Sequence, residues 1–300
     1  MVRTAPELPP WTTRSADGTA GASSLANAES EIHAPTRHAV HRTLTLGVVV
    51  DACRDLSTAV EAVRRQMRLP ARARSQAFLV TFVNPATVAA TERSIWLRVA
   101  LQNFDLVLPD GIAMALATGY LSGSSAARIS FDTTSLALPV LHLAAEYGSG
   151  VVLVGGREGV ARRAADRIAE RFPGLRILGT WHGYGDMAAS VRAVHDTAPD
   201  IVICGMGSGP QEEFLLRLRA AGWHGVGFTC GGYLDQTAGG LEYYPAWIDR
   251  TNLRWLYRLA REPRRLWRRY LVDYGRFALR FGRAARDRAR PGPAGRGAGR

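Results

Sequence analysis

The sequence feature that most restricts the fold is an alternation of short apolar runs with longer segments of helical spacing. The apolar runs are continuous, which is typical of strands that are buried on both faces of a parallel sheet. The alternation predicts an α/β fold, with a Rossmann-like, mostly parallel sheet and helices on both of its faces. The predicted strands are Leu44–Val50, Ala77–Val83, Asp105–Leu108, Gly150–Val154, Arg176–Thr180, Ile201–Cys204 and Gly225–Thr229.

The segments between these strands carry helix start and stop signals, such as proline in the first turn and glycine at the end. They predict helices over Ser57–Met67, from Pro85 to about Asn103, over Asp132–Tyr147 with Asp132 as the N-cap, over Val160–Phe172 and Met187–Thr197, and from Pro210 to Ala221. The α/β domain is expected to span residues 43–250. Ligands of such sheets bind beyond the carboxyl ends of the strands.

Residues 1–42 are rich in Pro, Ser, Ala, Thr and Gly and show no apolar periodicity, so we expect a disordered leader. We interpret its histidines as solvated and not as a metal site. Cys53, Cys204 and Cys230 are too few and too scattered for a disulfide framework or a zinc cluster. With no secretory signal and no apolar run long enough to span a membrane, the sequence predicts a cytoplasmic protein.

The net charge of +12 is concentrated near the C-terminus. Residues 251–300 hold 15 arginines against three acidic residues, a difference of +12, so residues 1–250 are neutral overall. Aromatic and apolar residues recur there every three to four positions, with arginines between them, and this predicts a basic amphipathic helix. We expect residues 251–290 to form a membrane-associating helical appendage and residues 291–300 a disordered tail. Two alternatives are that the aromatic stripe packs on the protein's own core and that the basic tail binds nucleic acid.

Asp110 follows a predicted strand in the segment Leu-Pro-Asp-Gly. A carboxylate at the ligand edge of a sheet can act as a general base, but an Asp-Gly pair also forms turns without any chemistry. Two glycine-rich segments, Gly155-Gly156-x-x-Gly159 and Gly205-Met-Gly207-Ser-Gly209, can cradle a phosphate or simply turn the chain. There is no P-loop lysine, no Asp-x-Asp and no metal-spaced His/Cys set, which disfavours a nucleoside triphosphatase and a metal-dependent mechanism.

Taken in order, the motifs of residues 44 to 271 resemble the WecG/TagA/CpsF family of bacterial glycosyltransferases. They are Thr81-x-x-Asn84, Pro109-Asp110-Gly111, Arg128-Ile-x-x-Asp132, Gly155-Gly156-x-x-Gly159, Gly183-Tyr184, Gly207-Ser-x-x-Gln211-Glu212, Gly231-Gly232-x-x-Asp235, Pro245-x-Trp247, and Trp255-x-Tyr257-Arg258 followed by Glu262-Pro263-x-Arg265.

The resemblance implies an inverting, metal-independent transferase that uses no cofactor. It implies transfer of an N-acetylmannosamine-type or glucose-type sugar from a UDP-sugar to a polyprenyl-diphosphate-linked acceptor, in cell-surface polysaccharide synthesis. The enzyme is expected to be peripheral on the inner face of the cell membrane, to contact its anionic surface and to bind no nucleic acid, while homo-oligomerisation is left open.

The resemblance also implies roles for individual residues. Asp110 corresponds to the general base, and Thr81, Asn84 and Gln211 to its catalytic neighbours. The implied substrate-binding residues are Arg128, Asp132, Gly155, Gly156, Gly183, Tyr184, Gly207, Glu212, Gly232, Asp235, Arg258 and Arg265. The chain reads Gly-Ser-Gly209-Pro210-Gln-Glu where the family usually has Gly-Ser-Pro-Lys-Gln-Glu. This difference is the argument for a further alternative, a non-catalytic polysaccharide assembly subunit.

Overall fold

The computed structural model describes residues 40–70, 73–240, 259 and 267–289. A six-stranded parallel sheet forms its centre, in the order β4-β3-β8-β7-β5-β6, which confirms the predicted fold class. Its strands are β3 Phe78–Val83, β4 Leu106–Pro109, β5 Gly150–Gly155, β6 Arg176–Trp181, β7 Ile201–Gly205 and β8 Val226–Thr229.

Helices lie between the strands and after the last one. They are α1 Leu56–Arg68, α2 Pro85–Arg93, α3 Ile95–Gln102, α4 Ile112–Ser122, α5 Ala137–Glu146, α6 Val160–Arg171, α7 Met187–Asp196, α8 Pro210–Ala220 and α9 Tyr233–Gly239. Helices α4 and α9 were not predicted from the sequence. Helix α4 begins directly after Gly111 and α9 directly after Gly232. A glycine has no side chain with which to cap a helix, so neither start carries the usual N-cap signal.

The first predicted strand, Leu44–Val50, is wrong, because a tight turn divides it. Strand β1, Val40–Thr45, pairs antiparallel with β2, Val48–Cys53, in a separate two-stranded sheet. The two turn residues, Leu46 and Gly47, have positive φ angles of 51° and 81°. Positive φ at both central residues is typical of the two-residue turns that join antiparallel strands in a tight hairpin. Since β1 begins at Val40, residues 40–42 belong to the fold and not to a leader.

Two helix predictions also need correction. The single helix predicted from Pro85 to Asn103 is two helices, because Ser94 ends α2 and its side chain accepts a hydrogen bond from Leu97 N at the start of α3. Asp132 is not an N-cap, because helix α5 begins five residues later. Its carboxylate instead pairs with Arg128 at 2.8 Å.

Successive residues of each central strand point to opposite faces, so the sheet has two apolar cores. Val151 and Leu153 of β5 pack on one side with α1, α5, α6 and α9. Val152 and Val154 pack on the other side with α3, α4, α7 and α8. The sheet is therefore covered on both faces, as the continuous apolar runs predicted.

The C-terminal segment is helical from Trp267 to Ala289, with a π-helical turn at Arg269–Asp273 followed by α10, Tyr274–Ala289. Phe277 is buried in the second core, and Phe281 packs against that core and against the ring of Tyr120 at 5.7 Å. The basic amphipathic helix is confirmed, and two residues of its stripe pack on the protein's own core. Apart from Leu259, the remainder of the predicted appendage, including Arg258 and Arg265, lies outside the described residues.

Candidate active site

The carboxyl ends of the parallel strands lie at one edge of the sheet, and most of the residues singled out from the sequence lie there. Thr81 and Asn84 are at the end of β3, and Asp110 directly follows β4. The glycine-rich segments follow β5 and β7, and Gly231 and Gly232 follow β8. The fold therefore brings together residues that are up to about 150 positions apart in the sequence, as expected for a ligand site of a parallel α/β sheet.

Asn84 and Asp110 form a part-exposed polar pair at this edge. Asn84 Nδ2 donates a hydrogen bond to Asp110 Oδ2 at 3.2 Å. Asn84 Oδ1 accepts from the backbone N–H groups of Ala86 and Thr87, so that the side chain also caps α2. The cap fixes which end of the amide faces Asp110, because the oxygen is already used. Asp110 is part-exposed, and its backbone N–H donates to Val83 O at 2.8 Å, which ties its position to β3.

A buried polar network lies beside this pair. The hydroxyl of Thr81 donates to Glu212 Oε1 at 3.3 Å and lies 2.9 Å from that of Thr229. Gln211 Nε2 donates to Glu212 Oε1 at 2.9 Å, and Gly209 N donates to Glu212 Oε2 at 2.5 Å. All four side chains are at most 5% exposed. Glu212 thus contacts both Thr81 and Gln211 beneath the surface.

The Glu212 carboxyl has its pKa raised by burial, and the hydrogen bonds from Gln211 and from Gly209 oppose this shift. Thr229 also belongs to this network, although it was not among the site residues predicted from the sequence. The feature that could have indicated it is its position at the end of an apolar strand, directly before Cys230-Gly231-Gly232.

The glycines after β5 allow three loops to approach closely. A Cβ on Gly155 would lie 2.3 Å from Gly205 O, and one on Gly156 would lie 2.5 Å from a methyl carbon of Val160. Gly156 N donates to Gly205 O, and Gly183 N donates to Gly156 O at 2.8 Å. The N–H groups of Gly156 and Gly183 are therefore used within the protein, and Gly155 and Gly156 have a packing role of their own.

Four helices start at this edge directly after a glycine. They are α4, α6, α8 and α9, whose N-caps are Gly111, Gly159, Gly209 and Gly232, and none of these has a side-chain cap. The first N–H groups of a helix lack partners within it and carry the positive end of its dipole. An edge with several such helix starts can bind an anionic group such as a diphosphate.

The other residues predicted for substrate binding lie around this edge. Arg128 and Asp132 form an ion pair in a loop that Ile129 N ties to Pro109 O, the residue before Asp110. Tyr184 is 78% exposed in the loop after β6, and Asp235 is exposed in the first turn of α9. Gly207 is exposed, with a φ of 83° and open space where a Cβ would lie.

The fold and this edge define a Rossmann-like α/β protein whose site suits an anionic ligand and contains an accessible carboxylate. The chain belongs to the glycosyl transferase WecG/TagA/CpsF family, whose model matches residues 44–291. This confirms the resemblance drawn from the ordered motifs.

Two proteins of known activity illustrate the similarity. The chain is 30% identical to UDP-Gal:alpha-D-GlcNAc-diphosphoundecaprenol beta-1,4-galactosyltransferase of Shigella boydii over 206 residues, 68% of this chain and 85% of the relative. It is 28% identical to N-acetylglucosaminyldiphosphoundecaprenol N-acetyl-beta-D-mannosaminyltransferase of Bacillus subtilis over 197 residues, 64% of this chain and 75% of that relative. Both relatives are glycosyltransferases that act on a sugar carried by diphosphoundecaprenol.

Proposed function

We propose that this protein transfers a hexose-type sugar from a UDP-sugar to a polyprenyl-diphosphate-linked sugar in cell-surface polysaccharide synthesis, with inversion and without a metal ion. Family membership supports the transferase activity, and the names of the two relatives support the donor and acceptor classes. Those names include galactose and N-acetylmannosamine, so the relatives do not agree on one donor sugar.

The observation that carries the mechanism is the contact between Asn84 and Asp110. An inverting transfer needs a base that removes the proton of the acceptor hydroxyl while its oxygen attacks the anomeric carbon. In the proposed step, the carboxylate of Asp110 takes that proton, the new glycosidic bond forms on one face of the sugar, and the bond to the UDP oxygen breaks on the other. Asn84 holds one oxygen of Asp110, and among the described residues no hydrogen bond is recorded to the other oxygen.

The departing UDP gains negative charge that the protein must stabilise. The glycine-capped starts of α6 and α9 supply backbone N–H groups and helix dipoles for this purpose, and the start of α8, where Pro210 has no N–H and Gly209 N is bonded to Glu212, supplies its dipole. We assign Arg258 and Arg265, which lie outside the described residues, to the same diphosphate. We assign the backbone of Gly207 and Gly232, near the helix starts, to contacts with the donor. The exposed ring of Tyr184 is assigned to the donor as well. Arg128, Asp132 and Asp235 are assigned to the sugars.

The proposal places the protein on the inner face of the cell membrane, where the lipid-linked acceptor is held. Helix α4 exposes Ile112, Leu116 and Tyr120, which are spaced four residues apart and therefore lie on one face. Tyr120 contacts Phe281, and the guanidinium of Arg288 lies 5.8 Å from its ring centroid, so this apolar face continues into the basic helix α10.

Apolar side chains beside arginines are the combination that binds an anionic lipid surface. No helix in the part of the chain that the structure describes has the length and hydrophobicity needed to cross a membrane.

A transfer assay tests the proposal directly. The full-length protein is incubated with a panel of UDP-sugars and a GlcNAc-diphosphoprenol acceptor, and the product is analysed by mass spectrometry and by NMR of its anomeric centre. We expect a single donor to be used, with inversion, and an undiminished rate in excess EDTA. The absence of transfer from every UDP-sugar would favour the non-catalytic assembly subunit, and a strict requirement for Mg²⁺ or Mn²⁺ would contradict the metal-independent mechanism.

A further inference from the structure

Glu212 is buried, whereas a residue that contacts substrate must be accessible at the site. Its side chain is 1% exposed, although α8 begins at the ligand edge only two residues earlier. The next residue, Glu213, lies on the same helical turn but pairs with Arg217 on the outer surface at 2.6 Å. The two adjacent carboxylates therefore have different surroundings, and only that of Glu212 is directed into the protein.

The Glu212 carboxylate joins three segments that come from different strands. Oε2 accepts the backbone N–H of Gly209, in the turn after β7. Oε1 accepts from Thr81 at the end of β3 and from the side chain of Gln211. Gln211 in turn accepts the backbone N–H of Gly231, after β8, at 3.1 Å.

Gly207 O and Gly209 O accept the backbone N–H groups of Gln211 and Glu213, but the conformation of the turn between the two glycines needs a further restraint. Gly207 and Gly209 both have positive φ angles, and neither has an atom within 4 Å of where a Cβ would lie. Glycine in such a turn has the largest conformational freedom of any residue, so something else must select one conformation. Among the described contacts of this turn, the hydrogen bond from Gly209 N to Glu212 is a side-chain contact that can do so.

We propose that Glu212 is a positioning residue, which fixes the Gly207–Gly209 turn and the amide of Gln211 against the ends of β3 and β8 so that the donor diphosphate meets a preformed binding loop. The part of this inference that concerns the donor rests on the proposed function. Glu212 acts through the turn and through Gln211 and does not itself contact the sugar or the phosphates.

The substitution Glu212→Gln is a sharp test because the two side chains have nearly the same shape. The carboxylate accepts hydrogen bonds from three donors on two oxygens, whereas a carboxamide has one acceptor oxygen and one donor group. Whichever way the amide is turned, its NH₂ group faces another N–H donor. Glu213→Gln is the matched control, since it removes the same charge from the same helical turn without touching the network.

Three measurements on the full-length variants decide the matter. Without ligand, amide hydrogen exchange at Gly209 should be about tenfold faster in Glu212→Gln than in Glu213→Gln, on the scale of one lost hydrogen bond to a charged group. The Kd for UDP, measured by calorimetry, and the KM for the donor should rise about tenfold, while kcat falls by a smaller factor. A residue that only stabilises the fold would lower Tm and leave the Kd and KM of the folded enzyme unchanged.

Amide exchange and a UDP Kd that both stay within twofold of the control would overturn the positioning role. If Glu212→Gln does not fold, Glu212→Asp replaces it, because that variant keeps the charge but shortens its reach. Failure of both variants to fold would assign Glu212 to folding alone and also overturn the proposal. If the wild type neither binds UDP nor transfers a sugar, the proposed function fails, whereas amide exchange still reports on the turn.

Discussion

Asn84 uses its side-chain oxygen to cap helix α2 and its side-chain nitrogen, 3.2 Å from Asp110 Oδ2, to hold the carboxylate assigned as the general base. One residue thus couples the start of a helix to the orientation of a reactive group on the neighbouring strand. Because β3 and β4 are adjacent and parallel, their ends bring the two residues together although they are 26 positions apart.

The first prediction concerns Asp110. Asp110→Asn should keep the fold and the affinity for UDP, because the side chain has the same shape and is part-exposed. It should lower kcat about 10²-fold or more, the usual scale of a lost general base. Steady-state kinetics with saturating donor and acceptor measure this, with UDP calorimetry as the control for folding. A variant with nearly normal kcat would remove Asp110 from the mechanism.

The second prediction concerns Asn84 and separates its two tasks. Asn84→Asp should keep the helix cap, because aspartate is as good an N-cap as asparagine, so Tm should change little. It replaces the donor to Asp110 with a second negative charge, and a nearby like charge favours protonation of a carboxylate. The acid limb of the kcat/KM profile should therefore move to higher pH, which pH–rate measurements on both proteins would detect. An unchanged profile would mean that Asn84 acts only as a cap.

The third prediction concerns the close approach of the loops after β5 and β7. Gly155→Ala would place a Cβ 2.3 Å from Gly205 O at a φ of 145°, so backbone must move to accommodate it. Overpacking of this kind costs about 1–3 kcal/mol or more, and denaturant unfolding should show the loss. Gly174→Ala is the control, because it meets no atom within 4 Å. Equal stability of the two variants would contradict the packing role of Gly155.

The fourth prediction separates the two roles of helix α10. Phe277→Ala should cost about 3–5 kcal/mol of stability, because its ring is buried in the second core. Arg276 and Arg283 are exposed, so replacing both with glutamine should leave Tm nearly unchanged.

The double glutamine variant should nevertheless weaken binding to anionic vesicles, by about 1 kcal/mol for each arginine near the lipid surface. Co-sedimentation with vesicles that contain phosphatidylglycerol measures this, and neutral vesicles serve as the control. If wild type and double variant partition equally, these arginines are not part of the membrane contact. Truncation at about residue 252 would be a poorer test of the membrane contact, because it also removes Phe277 and so uncovers the second core.

The sequence by itself determined the class of fold and the positions of most site residues. Continuous apolar runs are buried on both faces, and this alone predicts a parallel sheet with its ligand edge after the strands. Asp110 and the glycine-rich segments could be placed at that edge because each directly follows such a run. The order of the motifs also identified the family.

Only the tertiary structure decided which of these residues touch one another and which are accessible. Thr81, Gln211, Glu212 and Thr229 come from three separate segments, and no local pattern states that their side chains close a buried network. The sequence likewise left open whether the aromatic stripe of the tail faces lipid or protein, because both environments favour the same amphipathic spacing. The structure shows that Phe277 and Phe281 face protein, because both pack against the second core, which is assembled from segments far apart in the sequence.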